Sequence, residues 1–562
     1  MSRSLFARLA VLALVIAACT GETASTSTTS PPDGDTTTTQ QSDDTTTTAP
    51  PEGGPVEGGT LVVAISSDPG HLNPAITTSG ATHTASELMY NGLVELSDDG
   101  EPVPGLAESW EITEEGRVYT FTLRDDVVWH DGTPFTANDV VFSFNEVLLQ
   151  YHSRTSASVG NAVESIEAPD DTTVVFTLSE PYAPLLQQLS VTEAPIVAQH
   201  VYEGSDPNEN PANLEPIGTG PFQFVSYEPD SEIRLEKNPN YFKDGLPYLD
   251  EVVMRVIPED GSQVIALEAG DVDWLWGVPG PDLERFQADD NYGLLRTGVN
   301  PGGQNCIMTV SFNLDNPIFQ NRDVREALAH ALDQQAFLER VLFNQGRVAE
   351  APIHSGIGFA HGENLDMPQY DVALAAQMLE EAGWVDQGDG TRTAQGVDGV
   401  DDGTALAFDF LHFPGFTAYG ELLRSQLGEV GAEVTLRPLE PPVFVEAVFI
   451  NRDFDTNVIS FCNGTDPEIG VKRMYITSNI QPIPFSNSSA YSNEQVDQLF
   501  AEGAQTVDTE ARSAIYQELQ EILVEELPYF WLVETEGFRI HTAECTGFSA
   551  SGHFAEAAWC DR

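Results

Sequence analysis

The sequence predicts an exported, mixed α/β protein whose folded body divides into two or three lobes. Three observations predict it. A basic start and a short apolar run end at a cysteine, and a polar low-complexity stretch fills 20–59. After that stretch come about 500 residues that mix strand-like and helix-like patterns, too many for one compact core.

Arg3 and Arg8 flank the basic start, and Leu9 to Ala18 form the apolar run. A secretory signal has a charged region and then about 7–15 apolar residues. A spanning helix needs about 20, so residues 1–18 read as a signal peptide. Ile16-Ala17-Ala18-Cys19 resembles the lipobox of bacterial lipoproteins, in which the signal is cut before the cysteine and its thiol is lipidated. Two or more acyl chains make a durable anchor. Residues 19–57 then read as the lipidated Cys19 and a Thr/Ser/Pro-rich tether, with Thr36–Thr39 and Thr45–Thr48 as unbroken runs. So few apolar side chains cannot offset the entropy of ordering, so a disordered tether is expected.

The folded part opens with the β-branched run Gly59 to Ile65, suited to a buried strand. Ala85 to Leu96 has helical spacing. Ala107 to Ile112 and Val118 to Leu123 alternate on either side of Glu115-Gly116, which predicts a β-hairpin. Thr136 can cap a helix over Ala137 to Leu149, with Asp139 in its first turn.

The 88 acids against 24 bases give a formal net charge of −64, which repels phosphate backbones and excludes nucleic acid as a partner. The charge reads as a solvated face rather than a ligand site. Besides Cys19, an exported chain with Cys306, Cys462, Cys545 and Cys560 predicts disulfides, with three connectivities open. No zinc-type spacing accompanies them and the eleven histidines are scattered, so neither a metal nor a cofactor is implied.

An ordered series runs from Ala107-Glu108-Ser109-Trp110 through Tyr119-Thr120-Phe121 and Leu123-Arg124. It continues with His130-Asp131-Gly132-Thr133-Pro134 and Thr136 to Val140. It resembles the signature segment of the family 5 extracellular solute-binding proteins, the peptide- and nickel-type receptors of ABC importers. Gly218-Thr219-Gly220-Pro221-Phe222, Leu235 to Tyr241, Asn321 to Asp333, Tyr370 to Trp384, and Tyr491 onward to Tyr529 continue the likeness, so it covers 58–535.

The resemblance implies a two-lobed α/β fold of the periplasmic-binding-protein kind (type II, cluster C-like), with ligand held between the lobes and an additional subdomain in one of them. It places the first lobe at 58–300 with an insertion near 97–215, the second at 301–525, and a return to the first lobe at 526–562. It implies a monomeric exported receptor, lipid-anchored to the outer face of the cell membrane or periplasmic, that hands an oligopeptide, or a solute of similar size, to a membrane permease. Two alternatives stand beside it: a lobe pair for sensing or adhesion without transport, and a non-peptide ligand such as a sugar or metal chelate. With Cys306 and Cys462 both in the second lobe and Cys545 and Cys560 close together near the tail, the expected bridges are 306–462 and 545–560.

By the same resemblance three segments line the cleft. Thr78-Ser79-Gly80, before the first helix, offers backbone groups to an extended ligand. Trp274 and Trp276 stand at alternate positions, which share a face on a strand and can present flat apolar area. In Phe461-Cys462-Asn463-Gly464-Thr465-Asp466, Asn463 or Gly464 stands where peptide-binding relatives carry the aspartate that meets the ligand's α-ammonium. An amide supplies no net charge. Asp466, further along, is the acid left to substitute; otherwise the ligand is neutral or held mainly through its backbone. No Gly-x-Ser-x-Gly elbow and no His-Glu-x-x-His helix occurs, so no enzymatic activity is expected.

Changing Cys19→Ser is expected to release soluble protein or to leave uncleaved precursor, read by membrane fractionation and intact mass. Unchanged membrane retention with normal processing would refute the lipoprotein reading.

Overall fold

The computed structural model describes residues 54–97, 100–297, 305–550 and 552–562, so the expected signal, Cys19 and nearly all of the tether lie outside the described residues. Among those described, no helix is long and apolar enough to cross a membrane.

Two sheets organise the chain. The first has seven strands, in the spatial order Tyr292–Thr297, Gly537–Thr542, Trp274–Leu275, Thr60–Ile65, Glu251–Val256, Glu232–Lys237 and Phe222–Glu228. The second has six, in the order Gly346–Val348, Tyr529–Thr535, Asn305–Phe312, Thr456–Asn463, Ala407–His412 and Glu433–Pro438. Thr60–Ile65 lies between parallel neighbours, which explains its unbroken apolar run: Leu61, Val63 and Ala64 are all fully buried.

A separate four-stranded antiparallel sheet holds Ala107–Thr113, Val118–Leu123, Thr173–Leu178 and Val163–Asp170. Its first pair is the predicted hairpin, with Trp110 opposite Phe121. The expected capping box closes next to it, as Thr136 N–H donates to Asp139 at 2.9 Å. That helix is regular only over Ala137–Phe142. It widens into a π-helical stretch over Ser143–Leu148 before ending at Tyr151.

The helical spacing over Ala85 to Leu96 proves to be a helix at Gly80–Ser86, a 3₁₀ turn at Glu87–Met89 and a strand at Val94–Leu96. The chain straightens at Tyr90 because the Gly218–Gly220 segment packs on the backbone there. A Cβ on Gly218 would stand 1.7 Å from the Met89 carbonyl oxygen, and one on Gly220 2.5 Å from that of Leu88. This contact gives the Gly-Thr-Gly-Pro block its physical reason. Arg325, in the Asn321 to Asp333 block, likewise has a specific task. It donates to the carbonyls of Phe319 at 2.7 Å and Leu527 at 2.9 Å, satisfying the C-terminal end of the helix Thr509–Glu526.

The two sheets share the chain at two crossings. One lies between Tyr292–Thr297 and Asn305–Phe312. The other is Glu536, between Tyr529–Thr535 and Gly537–Thr542. Because Tyr529–Thr535 pairs with Asn305–Phe312, the return to the first sheet falls at Glu536 rather than at 526. The Glu536 side chain is wholly enclosed. Arg296, from the first sheet, donates to its Oε2 at 2.6 Å, and Arg347, from the second, to its Oε1 at 3.1 Å.

Cys306 and Cys462 stand opposite each other on paired strands of the second sheet and are bonded; Cys545 is bonded to Cys560.

Replacing Glu536 by Gln turns one acceptor into a donor facing an arginine. The loss expected is about 1–3 kcal/mol, read from urea midpoints. Hydrogen exchange should rise in both 292–297 and 346–348; a rise confined to one sheet would show that Glu536 does not couple them.

Candidate functional site

From the first sheet's side, Thr78, Ser79 and Gly80 are exposed at the entry to the helix Gly80–Ser86, with open space beyond Gly80. His83, one turn on, is bonded to the Thr77 carbonyl at 2.9 Å and to Glu87 at 3.1 Å. Burial opposes its protonation, but these two acceptors outweigh burial and its pKa rises. His152 lies edge-on to it, ring centroids 5.8 Å apart. Burial first, then the His83 and Arg154 charges, push the His152 imidazole down to about 3, so it is neutral.

Arg154 lies 3.2 Å from Glu193, whose carboxyl burial raises. Arg539 caps the Trp276 ring at 4.7 Å. Burial lowers the Arg539 guanidinium to about 10, with Glu87 opposing.

From the second sheet's side, Thr456–Asn463 delivers Phe461 into the core and leaves Cys462 exposed. Asn463 is buried, and both polar atoms of its amide lack a hydrogen-bond partner among the described residues. Gly464 accepts from Asn305 Nδ2 at 2.9 Å. Arg473, on the short turn Lys472–Met474, donates through Nη2 to the Cys462 carbonyl at 3.1 Å. Its Nε is enclosed without a partner among the described residues. Burial, and then the charge of Arg154 from the opposite side, lower its pKa.

Asp466 has a different environment. It is fully buried, with Arg512 Nη2 at 2.8 Å from Oδ2 and 3.0 Å from Oδ1, and the Glu468 N–H donating at 3.0 Å. Burial raises its carboxyl despite Arg512. Glu468, paired with Lys472 at 2.8 Å, is pushed up to about 7 by burial, with Lys472 opposing. Tyr182 approaches this group from the four-stranded-sheet side, and burial followed by the Glu468 charge raises its hydroxyl. Gln505 donates to Glu180 nearby at 2.7 Å. Asp466 thus lies inside the second half, beside the approach of Tyr182, and its carboxylate is committed to Arg512.

Trp274 is likewise out of reach. It is fully buried against Phe548, Phe554 and His541, while Trp276 is half-buried and meets it edge-on at 5.7 Å. The regular strand ends at Leu275, so the alternation expected to align both rings stops before the second.

Among the described residues one cluster has metal-ligand geometry: Glu95, His553 and Glu556. The Lys243 ammonium already lies 2.7 Å from Glu95 and 3.0 Å from Glu556, and the Glu556 carboxyl, although buried, is held down to about 2 by His553 and Lys243. The group is a neutralised clamp on the C-terminal segment.

The family model "Bacterial extracellular solute-binding proteins, family 5 Middle" matches residues 101–481. The chain belongs to family 5 of these proteins. It is 30% identical over 499 residues to protein XP55 of Streptomyces lividans, covering 86% of this chain and 85% of that one. It is 28% identical over 535 residues to the oligopeptide-binding protein AppA of Bacillus subtilis, covering 93% and 91%. The structure of that AppA in complex with a nonapeptide superposes with a TM-score of 0.71 at 26% identity, covering 90% of this chain and all of the other. The two-lobed fold of the family 5 receptors is therefore the fold of this chain, one lobe on each sheet. Sequence reasoning passed over Arg154, Arg473 and Arg539; the signal available was the scarcity of bases in so acidic a chain.

Asp466→Asn would leave the buried Arg512 guanidinium without its counter-charge. It is expected to cost about 3–5 kcal/mol of stability, read by denaturant unfolding. A loss below about 1 kcal/mol, within the range of an exposed pair, would mean that the pair is not structural.

Proposed function

We propose that this solute-binding receptor takes an oligopeptide, or a solute of similar size, between its two lobes and delivers it to the permease of an ABC importer, anchored by a lipidated Cys19 outside the membrane and acting as a monomer. The observation that supports the reading is the buried Asn463 amide, both of whose polar atoms lack a partner among the described residues. In this reading exposed Thr78–Gly80 and half-buried Trp276 form one surface of the cleft, and Cys462, Asn463 and Gly464 the other. A buried amide without partners costs stability unless something supplies its hydrogen bonds, and a peptide backbone offers both donors and acceptors. The resemblance to an oligopeptide-binding protein over nine-tenths of both chains supports the same ligand class.

Mechanistically, ligand that bonds both surfaces favours the closed arrangement, and the free energy of closure is the difference in its contacts between open and closed states. Trp274 and Asp466 take no part in this scheme. Binding needs no bond-breaking chemistry, and no nucleophile–base pair enters the proposal.

The test is a thermal-shift screen of full-length protein against mixed oligopeptides, sugars and metal chelates, followed by uptake of a labelled hit in cells with and without the gene. Peptides are expected to stabilise by about 2.7 kcal/mol at a hundredfold excess over the dissociation constant, and uptake to be lost with the gene. Response only to sugars or chelates would overturn the substrate class. Binding with unchanged uptake would favour sensing or adhesion.

A further inference from the structure

Bases total 24 against 88 acids, so an arginine in this chain is surrounded by available carboxylates. Arg473 nevertheless reaches none of them among the described residues. The acids nearest to it in sequence and across the cleft are already engaged: Glu468 by Lys472, Asp466 by Arg512, and Glu193 by Arg154. A guanidinium has five N–H donors, and among the described residues its one hydrogen-bond acceptor is the Cys462 carbonyl. Its Nε is shut off from solvent without a partner, and the Phe461 ring lies 5.9 Å from its central carbon. Across the cleft stands another arginine, Arg154, near enough to depress it further. Arg154 already has Glu193 at 3.2 Å, so it is Arg473 that lacks a counter-charge, and an anion beside it would lower whatever repulsion the two guanidiniums retain.

We infer that the cleft holds its ligand by an anionic group, in an oligopeptide a carboxylate, at the Arg473 guanidinium of the second lobe with Arg154 of the first lobe facing it. This deepens, and rests on, the receptor reading above. A planar guanidinium with free donors matches a carboxylate in a bidentate pair, and the anion would also lower the Arg154–Arg473 repulsion. The complementary contact for an α-ammonium is lacking in the 461–466 loop, where Asn463 is neutral and Asp466 is committed. On the first lobe Glu87 is held by His83. Recognition is accordingly biased toward the acidic end of the ligand.

The experiment presents full-length protein with a random tetrapeptide library in three forms, free, C-amidated and N-acetylated, and reads retained species by native mass spectrometry. A charged hydrogen-bonded contact is worth about 10–100-fold in affinity, so the free library should be retained over the amidated one by about that factor. N-acetylation should change retention by less than about threefold, a few tenths of a kcal/mol. Arg473→Gln should abolish the preference, and Arg473→Lys, which keeps the charge in a smaller head group, should retain part of it. Equal retention of free and amidated libraries, or an unchanged preference in both variants, would overturn the anion inference and leave the receptor reading standing. Retention of none of the libraries by the unaltered protein would overturn the oligopeptide reading and the inference with it.

Discussion

The enclosed carboxylate of Glu536, shared between Arg296 of one sheet and Arg347 of the other, sits at the point through which both lobes must act. Among the described strands the chain passes between the two sheets twice, and Glu536 is the middle of one passage. A rotation of one lobe against the other therefore concentrates its backbone change in a few residues at element ends, as hinge closure generally does. One oxygen bonded to each sheet gives the rotation a fixed pivot. The facing surfaces then need no flexibility of their own to come together. The Cys306–Cys462 bond, at the end of the central strand pair beside this pivot, stiffens the second surface where Asn463 and Gly464 emerge.

The electrostatics of the molecule divide along the same line. The large negative charge belongs to solvated surface, where screening makes individual pairs weak. Buried charge is handled differently on the two sides of the cleft. Asp466 and Arg512 neutralise each other inside the second lobe, and Glu95 and Glu556 are matched by Lys243 and His553 inside the first. Arg473 is left outstanding. Arg539 on the other side also lacks a carboxylate partner among the described residues, its contacts being the Ser549 carbonyl and the Trp276 ring.

Much of the architecture was legible because it rests on local pattern. The Ala107–Thr113 and Val118–Leu123 hairpin, the Thr136–Asp139 cap and the strand from Thr60 follow from alternation, cap chemistry and β-branched runs. What local pattern cannot carry is long-range pairing. The strand Tyr529–Thr535 opens with the apolar run Tyr529 to Val533 and fits either sheet by composition; its pairing with Asn305–Phe312 assigns it to the second. Ala85 to Leu96 keeps helical spacing but is broken by Gly218 and Gly220, more than a hundred residues away. The site was legible in outline and not in its chemistry. Asp466 looks like a ligand contact in sequence because its partner Arg512 is distant in the chain. Arg473 drew no notice because an unpaired side chain is defined by neighbours that only the fold supplies.

The clamp on the C-terminal segment bears on the order in which the molecule is assembled. Residues 537–542 fill the gap between the strands at 292–297 and 274–275, and Arg562 reaches back to Asp273 and to the Thr60 carbonyl, 502 positions earlier. The lobe that begins first along the sequence is thus finished last, whereas the second sheet draws all its strands from 305–535. Contacts of such long separation form slowly. The four-stranded sheet at 107–178 is complete early in the chain, but the seven-stranded sheet that opens at Thr60 is not complete until the segment beyond 536 has appeared. The amino-terminal lobe therefore cannot close before its own closing segment is available, and that delay works as a built-in timer.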